Sequence, residues 1–355
     1  MSYDYDLPSE LIANTPADPR DSARLLVYKT QTGEIIEDVF ANIAKHIPEH
    51  SLIVLNDTRV IPSRLELIKE TGGKVRVLFL VNELEANKSV IKGLPDRKLK
   101  VGDRLFAAEQ PIVEVISQKN EEFTFKSLIT PVEFRNLIDK IGNTPLPPYI
   151  HSDLSEAEAR TKYQTIFSKA ADHENRAVES AMSAASVAAP TASLHFTEKV
   201  FQSLESKNIK KTFVTLHVGR GTFSPVDVAK LGDAPVLHKE PIFVPKISAE
   251  TISLAKKEGR PIIASGTTAA RVLESTADSV QGFSGSTSIF IRPPYNFKLV
   301  DGLITNFHLP NTSLLMLLDA LLQSKGSPKT WREIYDYAIE KKFRFYSFGD
   351  AMLVI

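Results

Sequence analysis

The chain has 355 residues, 43% hydrophobic and 24% charged, which is typical of a globular protein with two domains or one domain carrying an insert. Its 43 basic residues balance its 43 acidic ones, which argues against a non-specific polyanion binder, since such proteins usually carry a basic excess. Any RNA binding must therefore depend on locally grouped Lys and Arg. Cysteine is absent, which excludes disulfides, thiolate nucleophiles and cysteine-based zinc sites.

The sequence shows no targeting or membrane segment. Residues Met1 to Glu10 are acidic and lack the apolar region of a signal peptide. The longest strongly apolar stretch, Leu314 to Leu322, is shorter than the roughly 20 residues that span a bilayer. We therefore expect a cytoplasmic protein with no membrane association.

The N-terminal part of the chain predicts a helix over Phe40–His46 and an apolar strand over Leu52–Leu55. Further on, short β-rich runs follow one another without intervening helices: Lys74–Val81, Ser89–Gly93, Pro111–Ile116 and Glu122–Leu128. Turn signals such as Gly72-Gly73 separate these runs, which indicates a small antiparallel barrel or sandwich. A proline-rich segment from Thr144 to Tyr149 marks its end.

The C-terminal half alternates between strands and helices. Strands are predicted over Thr212–Val218, Pro261–Ser265, Thr287–Arg292, Leu299–Thr305 and Arg344–Phe348, and helices over Ala249–Glu258, Thr268–Ser275, Thr312–Gln323 and Trp331–Lys341. This alternation favours an α/β domain with a largely buried sheet. The strand before Asn56 is assigned to the same sheet. We therefore predict a discontinuous α/β domain, 1–63 with 145–355, interrupted by an inserted β-barrel domain, 64–144.

Four predicted strand ends are unusually polar, and ligands of open α/β sheets bind beyond the carboxyl ends of strands. The polar segments are His217 to Phe223, Gly266 to Thr268, Thr305 to Pro310 and Tyr346 to Asp350. Strand alternation places Thr215 and His217 on one face. The Gly266-Thr267-Thr268 turn can bind an anion or the polar edge of a nucleotide, and a plain helix cap explains it equally well.

Two other kinds of site fit the sequence poorly. The histidines that lie near strand ends or in loops, His195, His217, His238 and His308, form no HxxxH or HExxH pair, the local spacing that is usual at zinc sites. Ser193 lacks the flanking glycines of a nucleophile elbow. We therefore expect no metal site and no serine hydrolase.

A series of motifs, taken together, carries a family resemblance. The segments are Asn56 to Arg64, Pro145 to Ile150, Tyr163 to Thr165, Val187 to Ala192, Leu194 to Phe196, Val214 to Gly219, Gly221 to Phe223, His238 with Glu240, Gly266 to Thr268, Arg271 with Leu273 to Ser275, Thr305 to Pro310 and Phe345 to Met352. In this order they resemble the S-adenosylmethionine:tRNA ribosyltransferase-isomerase family of queuosine biosynthesis. The resemblance covers nearly the whole chain and is weakest over 66–140.

The resemblance implies a specific reaction. The amine of 7-aminomethyl-7-deazaguanine in tRNA attacks the ribosyl group of S-adenosylmethionine. Adenine and methionine leave, and the ribose rearranges to an epoxycyclopentane, which gives epoxyqueuosine-tRNA. S-adenosylmethionine is then a consumed substrate, and no cofactor or metal is expected. A monomer is expected because no coiled coil or long apolar edge is visible in the sequence.

Residue roles follow from the same resemblance. Histidine titrates near neutrality and suits the proton transfers, so His195 and His217 are the first candidates for catalytic residues, followed by His238, Glu240 and Asp350. The expected substrate-binding residues are Thr191, Thr215, Gly219, Gly221, Gly266, Thr267, Thr268, Arg271, Glu274, Asn306 and His308. Arg59 and Arg64 are expected to contact RNA. Structural alternatives stay open: Arg59 can pair with a carboxylate, and His308 can be a buried structural histidine.

Two departures from the family pattern bear on activity. Ser193 occupies a position where a glycine is usual, which would be strained if the backbone there needs a positive φ. Residues from Ala170 to Ala185 lengthen the preceding loop. A catalytically impaired paralogue that binds tRNA or S-adenosylmethionine without turnover is therefore one alternative, and an enzyme with another acceptor is a second. The otherwise retained motifs favour catalysis.

Overall fold

The computed structural model describes residues 2–81, 89–150, 153–168, 186–219, 237–277 and 281–355. Its strands are β1 (Arg24–Tyr28), β2 (Ile35–Val39), β3 (Leu52–Asn56), β4 (Arg64–Lys69), β5 (Lys74–Phe79), β6 (Val90–Pro95), β7 (Arg104–Ala107), β8 (Gln110–Lys119), β9 (Glu122–Ser127), β10 (Lys210–Leu216), β11 (Glu240–Val244), β12 (Ile262–Ser265), β13 (Phe283–Thr287), β14 (Gly302–Asn306) and β15 (Ala351–Val354). Its helices are α1 (Pro131–Ile141), α2 (Glu156–Lys162), α3 (Glu198–Ser206), α4 (Lys246–Lys257), α5 (Thr267–Ser275), α6 (Ser313–Ser324) and α7 (Trp331–Glu340).

Within the described residues, nine strands form one mixed sheet in the order β13-β11-β10-β3-β12-β14-β15-β1-β2. Strands β10, β3, β12 and β14 run parallel, so all four end at one edge of the sheet, which we call the carboxyl edge. Strands β11 and β15 run antiparallel to β10 and β14, so they begin at this edge. One end of each of these six neighbouring strands therefore lies at the carboxyl edge.

Burial on both faces explains the apolar sequence of the central strands. Every residue of β3 is buried, and its side chains alternate between two cores. Leu52 and Val54 pack in a core that includes residues of α4 to α7, whereas Ile53 and Leu55 pack in another that includes α3 and the 3-10 helix Phe40–Lys45. Helices on both faces are the usual cover of a largely parallel sheet.

The segment between β3 and α1 forms a separate barrel. Strands β4-β5-β6-β9-β8-β7 close on themselves around an apolar core that includes Phe79 and Phe125. Helix α1 packs Phe134 and Ile138 against this core. The chain leaves beside its entry, because Arg64 and Asn143 exchange two backbone hydrogen bonds of 3.2 and 2.8 Å.

The predicted fold class is confirmed: the α/β sheet and the closed antiparallel barrel are both present. The limits of the two domains, 1–63 with 145–355 and 64–144, stay a prediction, and the barrel strands lie within the second range. In the described part of the chain, no helix has both the length and the apolar character needed to cross a bilayer.

Two predicted strands were wrong in detail. The strand over Thr287–Arg292 ends where it was expected to begin, since the Thr287 hydroxyl accepts the Ile289 N–H at 3.1 Å. The strand over Arg344–Phe348 is a turn in which Tyr346 has a φ of 72°, outside the strand region; the strand follows as β15. The predicted helix over Phe40–His46 is confirmed, as a 3-10 helix over Phe40–Lys45. Strands β1 and β2 were not predicted.

The contact between barrel exit and entry gives a test of the fold. A Cβ atom added at Gly142 would lie 1.9 Å from the Pro62 carbonyl oxygen, a rigid backbone group. We expect Gly142→Ala to lower the free energy of unfolding by about 3 kcal/mol, measured by urea denaturation. Gly73→Ala is the matched control, because a Cβ atom added there would lie 3.9 Å from the Thr71 hydroxyl, an ordinary contact distance. Equal stability of both variants would contradict the tight joint.

Candidate active site

The carboxamide of Asn56 connects three segments at the carboxyl edge. Its Nδ2 donates to the Leu216 carbonyl at 3.0 Å and to the Thr268 hydroxyl at 3.2 Å. Its Oδ1 accepts the N–H groups of Leu216 at 3.0 Å and Thr58 at 3.2 Å. Asn56 is fully buried, so the end of β10 and the start of α5 are both fixed relative to β3.

His217 follows β10 directly and contacts the segment that follows β3. Its ring Nδ1 lies 2.8 Å from the Thr58 hydroxyl, and its backbone N–H donates to the Pro241 carbonyl at 3.0 Å. Beside this pair, the Thr215 hydroxyl donates to the Asp57 carboxylate at 2.7 Å. His217 is 9% exposed, so the ring is nearly buried and its orientation is set by the fold.

His195 lies in the 3-10 helix Thr191–His195 and is held by backbone groups. Its Nδ1 is 3.1 Å from the Ala192 carbonyl and its Nε2 is 3.0 Å from the Gly349 carbonyl. Burial lowers the pKa of the imidazole, and the ring packs against Phe40 at 5.1 Å. Because both ring nitrogens face carbonyls, the geometry favours a structural role over the predicted proton transfer.

Ser193 fits its turn without strain. Its φ is not positive, so replacing the usual glycine by serine strains the backbone in no way. Its buried hydroxyl bonds to the Ser265 hydroxyl at 2.7 Å. In the same turn the Thr191 hydroxyl donates to Asn306 at 2.9 Å. The turn is therefore tied to the ends of β12 and β14.

Glu240 and Arg271 form a buried ion pair. The other carboxylate oxygen of Glu240 accepts the Gly219 N–H at 3.1 Å, and the Nε of Arg271 donates to the Ile289 carbonyl at 3.4 Å. Both carboxylate oxygens of Glu240 are thus engaged by groups of the protein. Glu240 therefore fits better as the anchor of the His217-Val218-Gly219 turn than as a catalytic group.

The first backbone N–H groups of α5 lie at the carboxyl edge and are unpaired within the described chain. Gly266, with a φ of 89°, precedes the helix and supplies no side-chain cap. Among the described residues, the N–H groups of Thr267, Thr268 and Ala269 have no acceptor in the hydrogen bonds of the structure. Free N–H groups at a helix start attract anions and polar ligand edges, as the sequence predicted for this turn.

Two carboxylates predicted to act in the site accept hydrogen bonds from other groups of the protein. Glu274 accepts the N–H groups of Lys298, Leu299 and Val300 at 2.9 to 3.0 Å. Asp350 is 1% exposed and accepts the Arg344 N–H at 2.8 Å and its guanidinium at 2.9 Å. These contacts favour structural roles over the ligand-binding and catalytic roles expected for them.

His308 is also held within the fold. Its Nε2 lies 2.7 Å from the Thr305 hydroxyl, and its N–H donates to the Tyr335 hydroxyl at 2.9 Å. The Tyr5 hydroxyl donates to the His308 carbonyl. Burial lowers the pKa of the imidazole to about 3, so the ring is neutral at physiological pH and lies beside the end of β14.

The remaining predicted residues differ in position. His238 is exposed just before β11, and Arg59 is exposed just after Thr58. Arg64 is less accessible: it donates to the Leu146 carbonyl at 3.0 Å, and burial lowers its pKa. Gly221 and the added segment from Ala170 to Ala185 lie outside the described residues.

The sequence analysis missed three residues that organise the site. Asn56, Asp57 and Thr58 appeared only as part of a motif, without roles. The available signal was their place directly after a wholly apolar strand, where polar side chains reach the carboxyl edge. Their partners could not be inferred, because β3 and β10 are separated by more than 150 residues, as in the Asn56–Leu216 separation of 160.

The fold is that of an α/β protein whose candidate site lies beyond the carboxyl ends of its central strands. A family model described as queuosine biosynthesis protein matches residues 1–354. The chain belongs to this family, which confirms the resemblance found in the sequence.

Named relatives agree with this assignment. Proteins of Carboxydothermus hydrogenoformans and Caldanaerobacter subterraneus, each named S-adenosylmethionine:tRNA ribosyltransferase-isomerase, are 42% and 40% identical, and each alignment covers 99% of this chain and 98% of the relative. A crystal structure of S-adenosylmethionine tRNA ribosyltransferase from Thermotoga maritima is 28% identical, with a TM-score of 0.53 and 99% coverage of both chains.

The lowered pKa of His308 predicts a pH-dependent stability. Between its ordinary pKa of 6.5 and the folded value of about 3, the unfolded chain binds a proton that the folded chain does not, so acid favours unfolding. From about pH 7.5 to about pH 5 the wild type should lose about 2 kcal/mol more than His308→Gln. Urea denaturation at both pH values measures this, and parallel losses in the two proteins would contradict it.

Proposed function

We propose that the chain transfers and isomerises the ribosyl moiety of S-adenosylmethionine onto 7-aminomethyl-7-deazaguanine in tRNA, with release of adenine and methionine. The family membership and the names of the full-length relatives support this reaction. The structural observation that carries it is the placement of an oriented histidine, His217, at the same edge as the open start of α5.

The reaction needs groups that move protons. The sulfonium of S-adenosylmethionine acidifies the neighbouring carbon, so a base must remove a proton there, and departing adenine must be stabilised by a donor. Of the predicted catalytic residues, His195, Glu240 and Asp350 are engaged by carbonyls, a guanidinium or N–H groups. We favour His217, because Thr58 holds its ring at the end of β10 on the carboxyl edge, and exposed His238 is a second candidate.

The start of α5 is our proposed contact for polar groups of the donor. The free N–H groups of Thr267 and Thr268 lie next to Asn56, which bonds the Thr268 hydroxyl. The helix dipole adds a partial positive charge at this end. A carboxylate or an adenine nitrogen acceptor would be stabilised there, close to the turn that carries His217.

Arg59 is our proposed contact for tRNA. It is exposed and adjoins Thr58, the partner of His217, so a phosphate bound there would lie beside the site. A protein that works on tRNA also fits the cytoplasm, and we retain the monomer and the absence of a cofactor as parts of this proposal.

The fit of Ser193 favours turnover over the impaired paralogue. Its hydroxyl bond to Ser265 keeps the turn in place without a positive φ. An enzyme with another acceptor would share the donor site, so only the product distinguishes it.

The first experiment is incubation with S-adenosylmethionine and tRNA bearing 7-aminomethyl-7-deazaguanine. We expect release of free adenine and a modified nucleoside with the mass of an added epoxycyclopentyl group. Adenine release without that nucleoside would indicate another acceptor. Binding of tRNA without either product would support the impaired paralogue.

His217→Ala tests the central side chain. We expect kcat to fall by at least about a hundredfold, because proton-transfer groups contribute that much or more, while the circular dichroism spectrum stays unchanged. His46→Ala is the control: His46 bonds Asp38 at 2.7 Å on β2, the outermost strand, six places from β10 in the sheet, and its loss should leave kcat intact. A His217→Ala protein with nearly normal turnover would remove His217 from the mechanism.

Arg59→Ala tests the RNA contact. We expect the KM for tRNA to rise with little change in kcat, and the salt dependence of tRNA binding to weaken by about one phosphate contact. Lys256→Ala, an exposed basic residue on α4, is the matched control. An unchanged KM and salt slope in Arg59→Ala would locate RNA binding elsewhere.

A further inference from the structure

Thr58 is the described residue that bonds the ring of His217. We propose that Thr58 is a positioning residue that holds His217 in the tautomer with its proton on Nε2. The catalytic meaning of this inference rests on the proposed function, whereas the tautomer can be measured without any turnover.

The Thr58 hydroxyl is buried and has one hydrogen-bond partner within the described chain. Thr58 is 2% exposed, and the Nδ1 of His217, at 2.8 Å, is the partner of its hydroxyl within the described chain. A hydroxyl has one proton to donate. The choice of donor in this single bond therefore decides where the imidazole proton lies.

Only one of the two possible arrangements satisfies both groups. If Nδ1–H donated to the Thr58 oxygen, the hydroxyl proton would be buried without an acceptor, which is unfavourable. If the hydroxyl donates to Nδ1, its proton is used, and the neutral ring carries its own proton on Nε2. The second arrangement is therefore favoured, and a single tautomer should dominate.

Both ends of this bond are held by Asn56. Its Oδ1 accepts the Thr58 N–H at 3.2 Å and the N–H of Leu216, the residue before His217, at 3.0 Å. Thr58 is β-branched and therefore has few side-chain rotamers. The hydroxyl and the ring are thus presented to each other by the backbone rather than meeting by chance.

The tautomer narrows the role of His217. In this tautomer Nε2 of the neutral ring is a hydrogen-bond donor, and Nδ1 is an acceptor bonded to Thr58. When the glycosidic bond breaks, its electron pair passes to adenine, and a donor stabilises the charge that develops there. His217 therefore fits the group that assists adenine departure, and the group that removes the proton beside the sulfonium is a different one.

The test is nitrogen NMR of the full-length protein labelled with ¹⁵N-histidine. His217→Gln identifies the His217 signals by their loss. In the wild type we expect a protonated Nε2 and an unprotonated Nδ1. Thr58→Val removes the donor and should give signals averaged between tautomers, with kcat lowered at least about tenfold and little change in the KM for S-adenosylmethionine. Thr58→Ser keeps a hydroxyl and should restore the wild-type pattern.

Thr30→Val is the matched control, because Thr30 is also a buried threonine whose hydroxyl makes one bond, to the Ile355 carbonyl at 2.9 Å. It should leave the His217 signals and kcat unchanged. A protonated Nδ1 in the wild type overturns the proposal, and this spectrum decides even if Thr58→Val does not fold. A Thr58→Val spectrum identical to that of the wild type also overturns the proposal. The expected tautomer without turnover would support the positioning role and count against the proposed function alone.

Discussion

The carboxamide of Asn56 is the interaction on which the site depends. A buried amide has two donors and an acceptor oxygen with two lone pairs, and here all are used, on the end of β10, the start of α5 and Thr58. No apolar side chain could replace it without leaving buried backbone groups unpaired. The residue therefore links the turn proposed to bind the donor with the histidine proposed to act on it.

The charged groups around this amide follow a common pattern. Glu240, Glu274 and Asp350 are nearly fully buried, and each is stabilised by a guanidinium or by backbone N–H groups. Removing such a group from water is costly unless it is paired. Glu240 and Asp350 therefore hold segments of the carboxyl edge in place, whereas Glu274 holds the segment directly before β14. A polar residue in a motif is not thereby a group that touches substrate.

The sequence predicted the fold well where patterns are local. Apolar runs and turn residues located β3, β12 and the barrel, and motif order identified the family. It failed at Arg344–Phe348, where the side chains suit a strand but the Asp350 carboxylate bonds back to the Arg344 N–H and Tyr346 turns the chain. That segment still reached the expected edge, because β15 runs antiparallel to β14.

The sequence predicted which residues lie at the site better than it predicted what each residue does. His217 and the Gly266-Thr267-Thr268 turn were located because they directly follow strands. The roles of Glu274 and Asp350 could not be inferred, since they depend on backbone N–H groups up to 26 residues distant for Glu274 and, for Asp350, on Arg24 at a separation of 326. The chemical type of a side chain can be read from a sequence. Which groups donate hydrogen bonds to its oxygens can be known only from the folded structure.

The position of β15 has a consequence for how the molecule is made. Residues 351–354 lie between β14 and β1, pairing Leu25 with Ala351, so the interior of the sheet has a gap until they arrive. During synthesis the first strands leave the ribosome long before this partner exists. Contacts of such large sequence separation slow folding, and unpaired strand edges invite association with other chains. The nascent protein is therefore a natural client for chaperones, whereas the barrel, whose strands are close in sequence, can close early.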